Sequence, residues 1–264
     1  MSSLTRLTRP RTIACIGRNY TDHIAELGNA RPSEPFYFLK PAASFLPPKA
    51  GPVLCPKGAN LHFEVELVAV IGEPADELPA TADALSKVKG WAVGVDMTAR
   101  NRTSPPPPSP LSSAPVFAGR KRKGKKMLTT EKIKRDTDQN VAKEKVLPWS
   151  LSKGFKTFLP VSHLIPKEKI PNPHDVELYL KVNGEVKQND STSLMLFDIP
   201  RLLQHVTSVF PLEEDDLLLT GTPKGVGPVK PGDVITAGIK VNGVELEEGR
   251  IEVRIEERTT GYGA

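Results

Sequence analysis

The chain has 264 residues, 38% of them hydrophobic and 25% charged. That mix excludes a fibrous or compositionally disordered protein and leaves ample length for a core. No apolar run reaches the roughly 18 residues of a membrane helix, so a soluble chain with no membrane partner is expected. The net charge of +5 sits in one place: residues 102–139 hold ten Lys and Arg against three acids, and the remainder has 26 basic against 28 acidic residues. Outside that segment no electrostatic footprint for nucleic acid exists.

The start, MSSLTRLTRPRT, carries Arg6, Arg9 and Arg11 without an acid. It lacks the apolar stretch of a secretory signal, so it reads as a mitochondrial presequence or a plain terminus. Cys15 and Cys55 are two and far apart, which predicts reduced, buried thiols. TIACIGRNY (12–20) begins as a short apolar strand and stops at a Gly-Arg-Asn turn. In TDHIAELG, Thr21 or Asp22 can cap, and Ile24 and Leu27 give a helical spacing, so a short helix is expected. EPFYFLKP is a strand bounded by prolines. HFEVELVAVIG alternates, then turns wholly apolar, as a strand entering a core does. GWAVGVDMTARN is an apolar strand ending at Asp96. DVELYLKVNGEVKQ is a hairpin with Asn-Gly at its turn, and IPRLLQHVTSVF an amphipathic helix. DDLLLTGTPKGVGPVKPGDVITAGI reads as strand, Gly/Pro loop and strand; IKVNGVELEEGRIEVRIEE as a second Asn-Gly hairpin and a last strand. Strands dominate, which predicts an α+β, β-rich domain of packed sheets with short peripheral helices.

Three groupings could carry chemistry. On a strand, His62, Glu64 and Glu66 would share one face, with Phe63, Val65 and Leu67 on the other. A solvated face explains that pattern too. Asp96 adds a third carboxylate at a strand end, although it could equally cap a helix. Together Glu64, Glu66 and Asp96 form an all-oxygen set that suits Mg²⁺, Mn²⁺ or Ca²⁺ rather than Zn²⁺. His23 and Glu26 stand three apart on the short helix: either a surface pair or an imidazole made basic by its carboxylate, fit to activate water. TGTPKGVG (220–227) lacks the spacing of a nucleotide-phosphate loop, so nucleotide binding is rejected.

These pieces, in this order, resemble the fumarylacetoacetate hydrolase family, in its small single-domain acylpyruvase branch. The carrying motifs are GRNYTDHIAEL, FLKP, HFEVEL, DMTAR, LPWSLSKGF, PVSHLIPKEKIPNP, LKVNGE and TGTPKGVGPV. The resemblance implies one catalytic domain over residues 1–264, a mixed β-sandwich roll like that family's C-terminal domain, as a homodimer. It implies Mg²⁺ or Mn²⁺ on Glu64, Glu66 and Asp96, and a water-activating dyad of His23 and Glu26 on a lid. Lys153 would offset oxyanion charge, and Arg100, Gln139, Thr192 and Thr222 would contact a small 2-oxo acid. The activity implied first is hydrolysis of the C–C bond of acylpyruvates, with the cation stabilising the departing enolate. The alternatives at the same site are oxaloacetate decarboxylation and oxaloacetate keto–enol tautomerisation. The mitochondrion is the implied location, the cytoplasm the alternative.

One segment breaks the pattern. Residues 102–138 run from PPPPSP through RKRKGKK without hydrophobic periodicity and interrupt the interval between Arg100 and Gln139. They are expected to be a disordered insertion, either a retained intron or a lineage-specific loop. A reading of another class makes the chain a binding module, with this insert docking nucleic acid or a proline-recognising partner.

Overall fold

The computed structural model describes residues 4–26, 31–100 and 149–260. The insertion at 102–138 and Gln139 lie outside the described residues. The first sheet is mixed. In spatial order its strands are Ile165–Pro166, Val88–Val95, Val65–Ile71, Leu217–Leu219, Ile13–Gly17 and Phe36–Lys40. Ile13–Gly17 runs parallel to Leu217–Leu219, and the other neighbours are antiparallel. All seven residues of Val65–Ile71 are buried, Glu66 included, and the apolar run after it is what a strand covered on both faces requires. Leu67, Ala69 and Ile71 join the larger core, whereas Val68 and Val70 join a smaller one with Ile13, Cys15, Leu217 and Leu219.

The second sheet closes the larger core. Its order is Glu185–Ser191, Glu177–Val182, Val234–Val241, Ile251–Glu257 and Val53–Cys55, with Val244–Glu245 beside Val234–Val241. Ile251, Val253 and Ile255 point inward while the residues between them face water, the alternation of a half-covered sheet. Both Asn-Gly hairpins form. Asn183 and Gly184 have φ of 51° and 84°, Asn242 and Gly243 51° and 77°, the left-handed pair that matches the strands' twist. A three-stranded sheet of Gly227–Val229, Leu61–Phe63 and Thr98–Ala99 lies beside the carboxylates.

Helices are short and peripheral, as expected from the sequence. Thr21–Glu26 follows the GRNY turn, and Ser150–Lys153 precedes the GF pair. Ile199–Thr207 buries Ile199, Leu202, Leu203 and Val206, a 3.6-residue stripe. Its first turn is capped twice: the Asp198 carboxylate accepts from Arg201 N–H, and His174 Nε2 accepts from Ile199 N–H at 2.9 Å. Cys15 and Cys55 are free and buried. Among the described residues no helix is long and apolar enough to cross a membrane.

Candidate active site

The three carboxylates come together. One ligand oxygen from each of Glu64, Glu66 and Asp96 lies within 4.8 Å of the others, and the residues are only 7%, 1% and 0% exposed. The solvated-face alternative is therefore excluded. The route differs from the single strand expected. The HFEVEL run breaks at Glu64: Leu61–Phe63 belongs to the three-stranded sheet and Val65–Ile71 to the six-stranded one. The cause is visible in the backbone, where Glu64 O accepts from Asp96 N–H at 2.8 Å just as the chain passes between sheets. Asp96 ends the Val88–Val95 strand and does not cap a helix, since Thr98–Ala99 is extended.

Buried carboxylates this close need cations. Lys153 Nζ, 1% exposed, donates to Asp96 Oδ2 at 2.6 Å and Glu64 Oε2 at 2.9 Å. Lys40 Nζ donates to Asp96 Oδ1 at 2.7 Å. Arg100 donates to Glu64 Oε1 at 3.1 Å, and Thr98 Oγ1 to the same oxygen at 3.1 Å. Glu66 has instead the backbone: Gly221 N–H donates to its Oε2 at 2.6 Å. Burial, then the charges of Asp96 and Glu64, push the Glu66 carboxyl well up, and Lys153 and the Gly221 N–H counter them only in part. Burial alone would pull Lys153 down, but the charges and hydrogen bonds of Asp96 and Glu64 outweigh it and hold the ammonium above its ordinary range.

The Gly/Pro loop after Leu217–Leu219 forms the adjoining wall. Gly221 sits at φ 97°, and a Cβ there would lie 2.8 Å from Asn19 Cβ, so only glycine brings its N–H to Glu66. Asn19 holds the loop from below. Its Nδ2 donates to Thr220 O at 2.8 Å and Phe197 O at 3.1 Å, and its Oδ1 accepts from Phe197 N–H at 2.9 Å. Gln188 holds it from the side: its Oε1 accepts from Val65 N–H, and its Nε2 donates to Thr222 Oγ1 and Pro223 O. The helix Thr21–Glu26 is tied to the same loop. Asp22 pairs with Lys224 at 2.8 Å, and Glu26 Oε2 accepts from Gly225 N–H at 3.3 Å.

The other expected site residues divide as follows. Lys153 and Arg100 reach the carboxylates, and Thr222 lies in the loop. Thr192 is buried, but its hydroxyl is spent on the Val176 backbone, accepting from N–H and donating to O. His23 lies on the helix with Glu26; its side chain is outside what the structure describes, as is Gln139. Lys40, Asn19, Gln188 and Thr98 were not singled out in the sequence. Lys40 and Asn19 do stand in quoted motifs, and a lysine closing an aromatic strand was the available signal for the first.

The donors fit a hard divalent cation: three carboxylates, with no thiolate or imidazole in the cluster among the described residues. They also leave polar atoms in reserve. Tyr20 Oη, both ring nitrogens of His62 and Arg100 Nε are buried with no hydrogen-bond partner among the described residues. Burial, then the charge of Arg100, holds the His62 imidazole down to about 4. Such orphans mark a seat for a polar ligand, since buried polar groups are ordinarily paired.

The family profile described as fumarylacetoacetate (FAA) hydrolase C-terminal matches residues 12–255. The chain is 41% identical over 230 residues to the mitochondrial oxaloacetate decarboxylase of Dictyostelium discoideum, covering 87% of this chain and 88% of that one. It is 42% identical over 230 residues to the mitochondrial oxaloacetate tautomerase FAHD1 of Homo sapiens, covering 87% of each. The crystal structure of fumarylpyruvate hydrolase from Pseudomonas aeruginosa, in complex with Mn²⁺ and pyruvate, superposes with a TM-score of 0.73 at 27% identity over 98% of both chains. With the sandwich, the buried carboxylates and a profile match over most of its length, the chain belongs to the fumarylacetoacetate hydrolase family.

Proposed function

We propose that this chain acts on oxaloacetate and interconverts its keto and enol forms. The relatives at 41% and 42% identity are named for oxaloacetate chemistry. Acylpyruvate hydrolysis, placed first on sequence, has support only at the level of the family. The observation that carries the proposal is a charge balance. With its three carboxylates ionised, as metal ligands must be, the cluster is matched by Lys40, Lys153 and Arg100 and is already neutral. A divalent ion adds two positive charges, which a dianion offsets and a monoanion does not. Oxaloacetate is a dianion and acetylpyruvate a monoanion; fumarylpyruvate is a dianion as well, and the preference for oxaloacetate over it follows the relatives' names.

Glu64, Glu66 and Asp96 would hold Mg²⁺ or Mn²⁺. When bound, the ion supplies a Lewis acid at the 2-oxo carbonyl, which eases loss of the neighbouring proton. Lys153, kept protonated by its carboxylates, stabilises charge developing on oxygen and is not the base. The proton acceptor is assigned to His23, with Glu26 three residues on. The ties from Asp22 and Glu26 to the Lys224–Gly225 backbone hold that helix to the loop whose Gly221 touches Glu66. Tautomerisation needs no water attack, unlike hydrolysis. Decarboxylation would instead break the C3–C4 bond, release CO2 and leave the enolate of pyruvate; it relies on the same polarised 2-oxo carbonyl and is a second outcome.

Purified protein with Mg²⁺ is given enol-oxaloacetate, enol absorbance and pyruvate are followed separately, and acetylpyruvate is run in parallel. Enol decay faster than pyruvate release, with acetylpyruvate untouched, is expected. Cleavage of acetylpyruvate at a comparable kcat/KM would restore the hydrolase reading. We also propose a mitochondrial homodimer, on the relatives' names and the family resemblance. Sedimentation should show a species of twice 28.8 kDa, and fractionation should place it in mitochondria.

A further inference from the structure

Lys40 closes the edge strand Phe36–Lys40, and its side chain has no solvent exposure. Lysine is almost never buried this way unless paired. An ammonium has three N–H donors, and here each has an acceptor: Asp96 Oδ1 at 2.7 Å, Met97 O at 3.3 Å, and the Lys153 carbonyl oxygen. The ring of Phe158 lies 5.9 Å from the nitrogen. One cation thus joins the edge strand, the turn after Asp96 and the helix Ser150–Lys153.

We propose that Lys40 is a positioning residue for the metal site. It claims Asp96 Oδ1, so that a cation would reach this carboxylate through Oδ2, in place of the Lys153 ammonium that holds that oxygen at 2.6 Å. By holding the Lys153 carbonyl it also sets where that ammonium starts from. A carboxylate without such a partner can rotate or bind an ion through both oxygens. Partners that orient ligands in this way are worth 10–100-fold in metal affinity. The inference rests on the reading that Glu64, Glu66 and Asp96 hold a divalent cation.

A charge-only role has the opposite sign. Lys40 repels an incoming ion, so if it did nothing but neutralise Asp96, its removal would tighten metal binding. A purely structural role would leave the affinity of the folded protein unchanged. The test is Lys40→Met, similar in length but without donors, with Mn²⁺ binding measured by the loss of free-ion EPR signal in the absence of substrate. The expected result is a Kd raised about 10-fold or more. An unchanged or tighter Kd overturns the proposal. Should the Met variant not fold, Lys40→Leu, equally without donors, takes its place, and a Kd equal to or tighter than wild type overturns it likewise. Wild-type protein that fails to bind Mn²⁺ would sink the metal reading itself, a distinct result.

Discussion

Lys153→Met removes the cation that bridges buried Glu64 and Asp96 and leaves them to Arg100 and Lys40 alone. Its two ion pairs are 2.6 and 2.9 Å long and its side chain is 1% exposed. Breaking such a pair from one side costs about 3–5 kcal/mol. The protein has an escape that caps the loss: one carboxyl takes up a proton. From an ordinary value of 4.5, that uptake at pH 7 costs about 3.4 kcal/mol, so the expected deficit is about 3 kcal/mol. Its pH dependence follows. The variant's carboxyl is raised in the folded state only, so the folded protein binds the extra proton. The variant is then close to wild type at pH values down near 4.5 and loses stability as pH rises toward 7. Urea unfolding of both proteins between pH 5 and 7.5 measures this. Mg²⁺, which competes with the Lys153 ammonium for the same oxygens, should stabilise the variant more than the wild type, while oxaloacetate turnover falls about 10²-fold or more. A deficit under about 1 kcal/mol, the scale of an exposed pair, with no pH dependence would refute the reasoning.

Other consequences are open to measurement. Asn19→Ala leaves Thr220 O and Phe197 N–H without their partner, which should cost about 2–4 kcal/mol by thermal unfolding. Gly221→Ala meets a left-handed φ and Asn19 at once, so Glu66 should lose its backbone donor; isothermal titration with Mn²⁺ should show weaker binding at a stability cost of about 1–3 kcal/mol. His174 is held below its ordinary 6.5 by burial, against the pull of Asp198, and must be neutral to accept from Ile199. Its stabilisation is full above pH 6.5 and fades as pH falls and the unfolded chain takes the proton. His174→Gln should flatten the slope of stability against pH in that window.

Local rules carried much of this fold. The Asn-Gly hairpins, the capped helix at Ile199 and the buried run at Val65–Ile71 depend on neighbours a few residues away, so periodicity and turn chemistry reveal them. The three carboxylates were legible as a chemical set because strand ends gather ligands. What sequence could not show is what long-range contacts decide. Lys40 meets Asp96 across 56 residues and Asn19 meets Thr220 across 201, so neither role has a local pattern. The break at Glu64 was hidden for the same reason: alternation continues through HFEVEL whether the chain stays in one sheet or passes to the next. Hydrolysis and tautomerisation share one carboxylate site, so motif types alone could not order them.

The pairing of the carboxylate cluster within the protein bears on how the protein is made. In small zinc domains the ion drives folding, because the ligands alone cannot assemble. Here Lys40, Lys153 and Arg100 pair with Asp96 and Glu64, and the Gly221 N–H with Glu66, inside a core built by two sheets. The chain can therefore mature first and be loaded afterwards. A chelator should silence it without unfolding it, and returning the ion should restore it with no refolding step. On the proposed metal-dependent reaction, metal supply would then set the working fraction of this protein and leave its abundance alone.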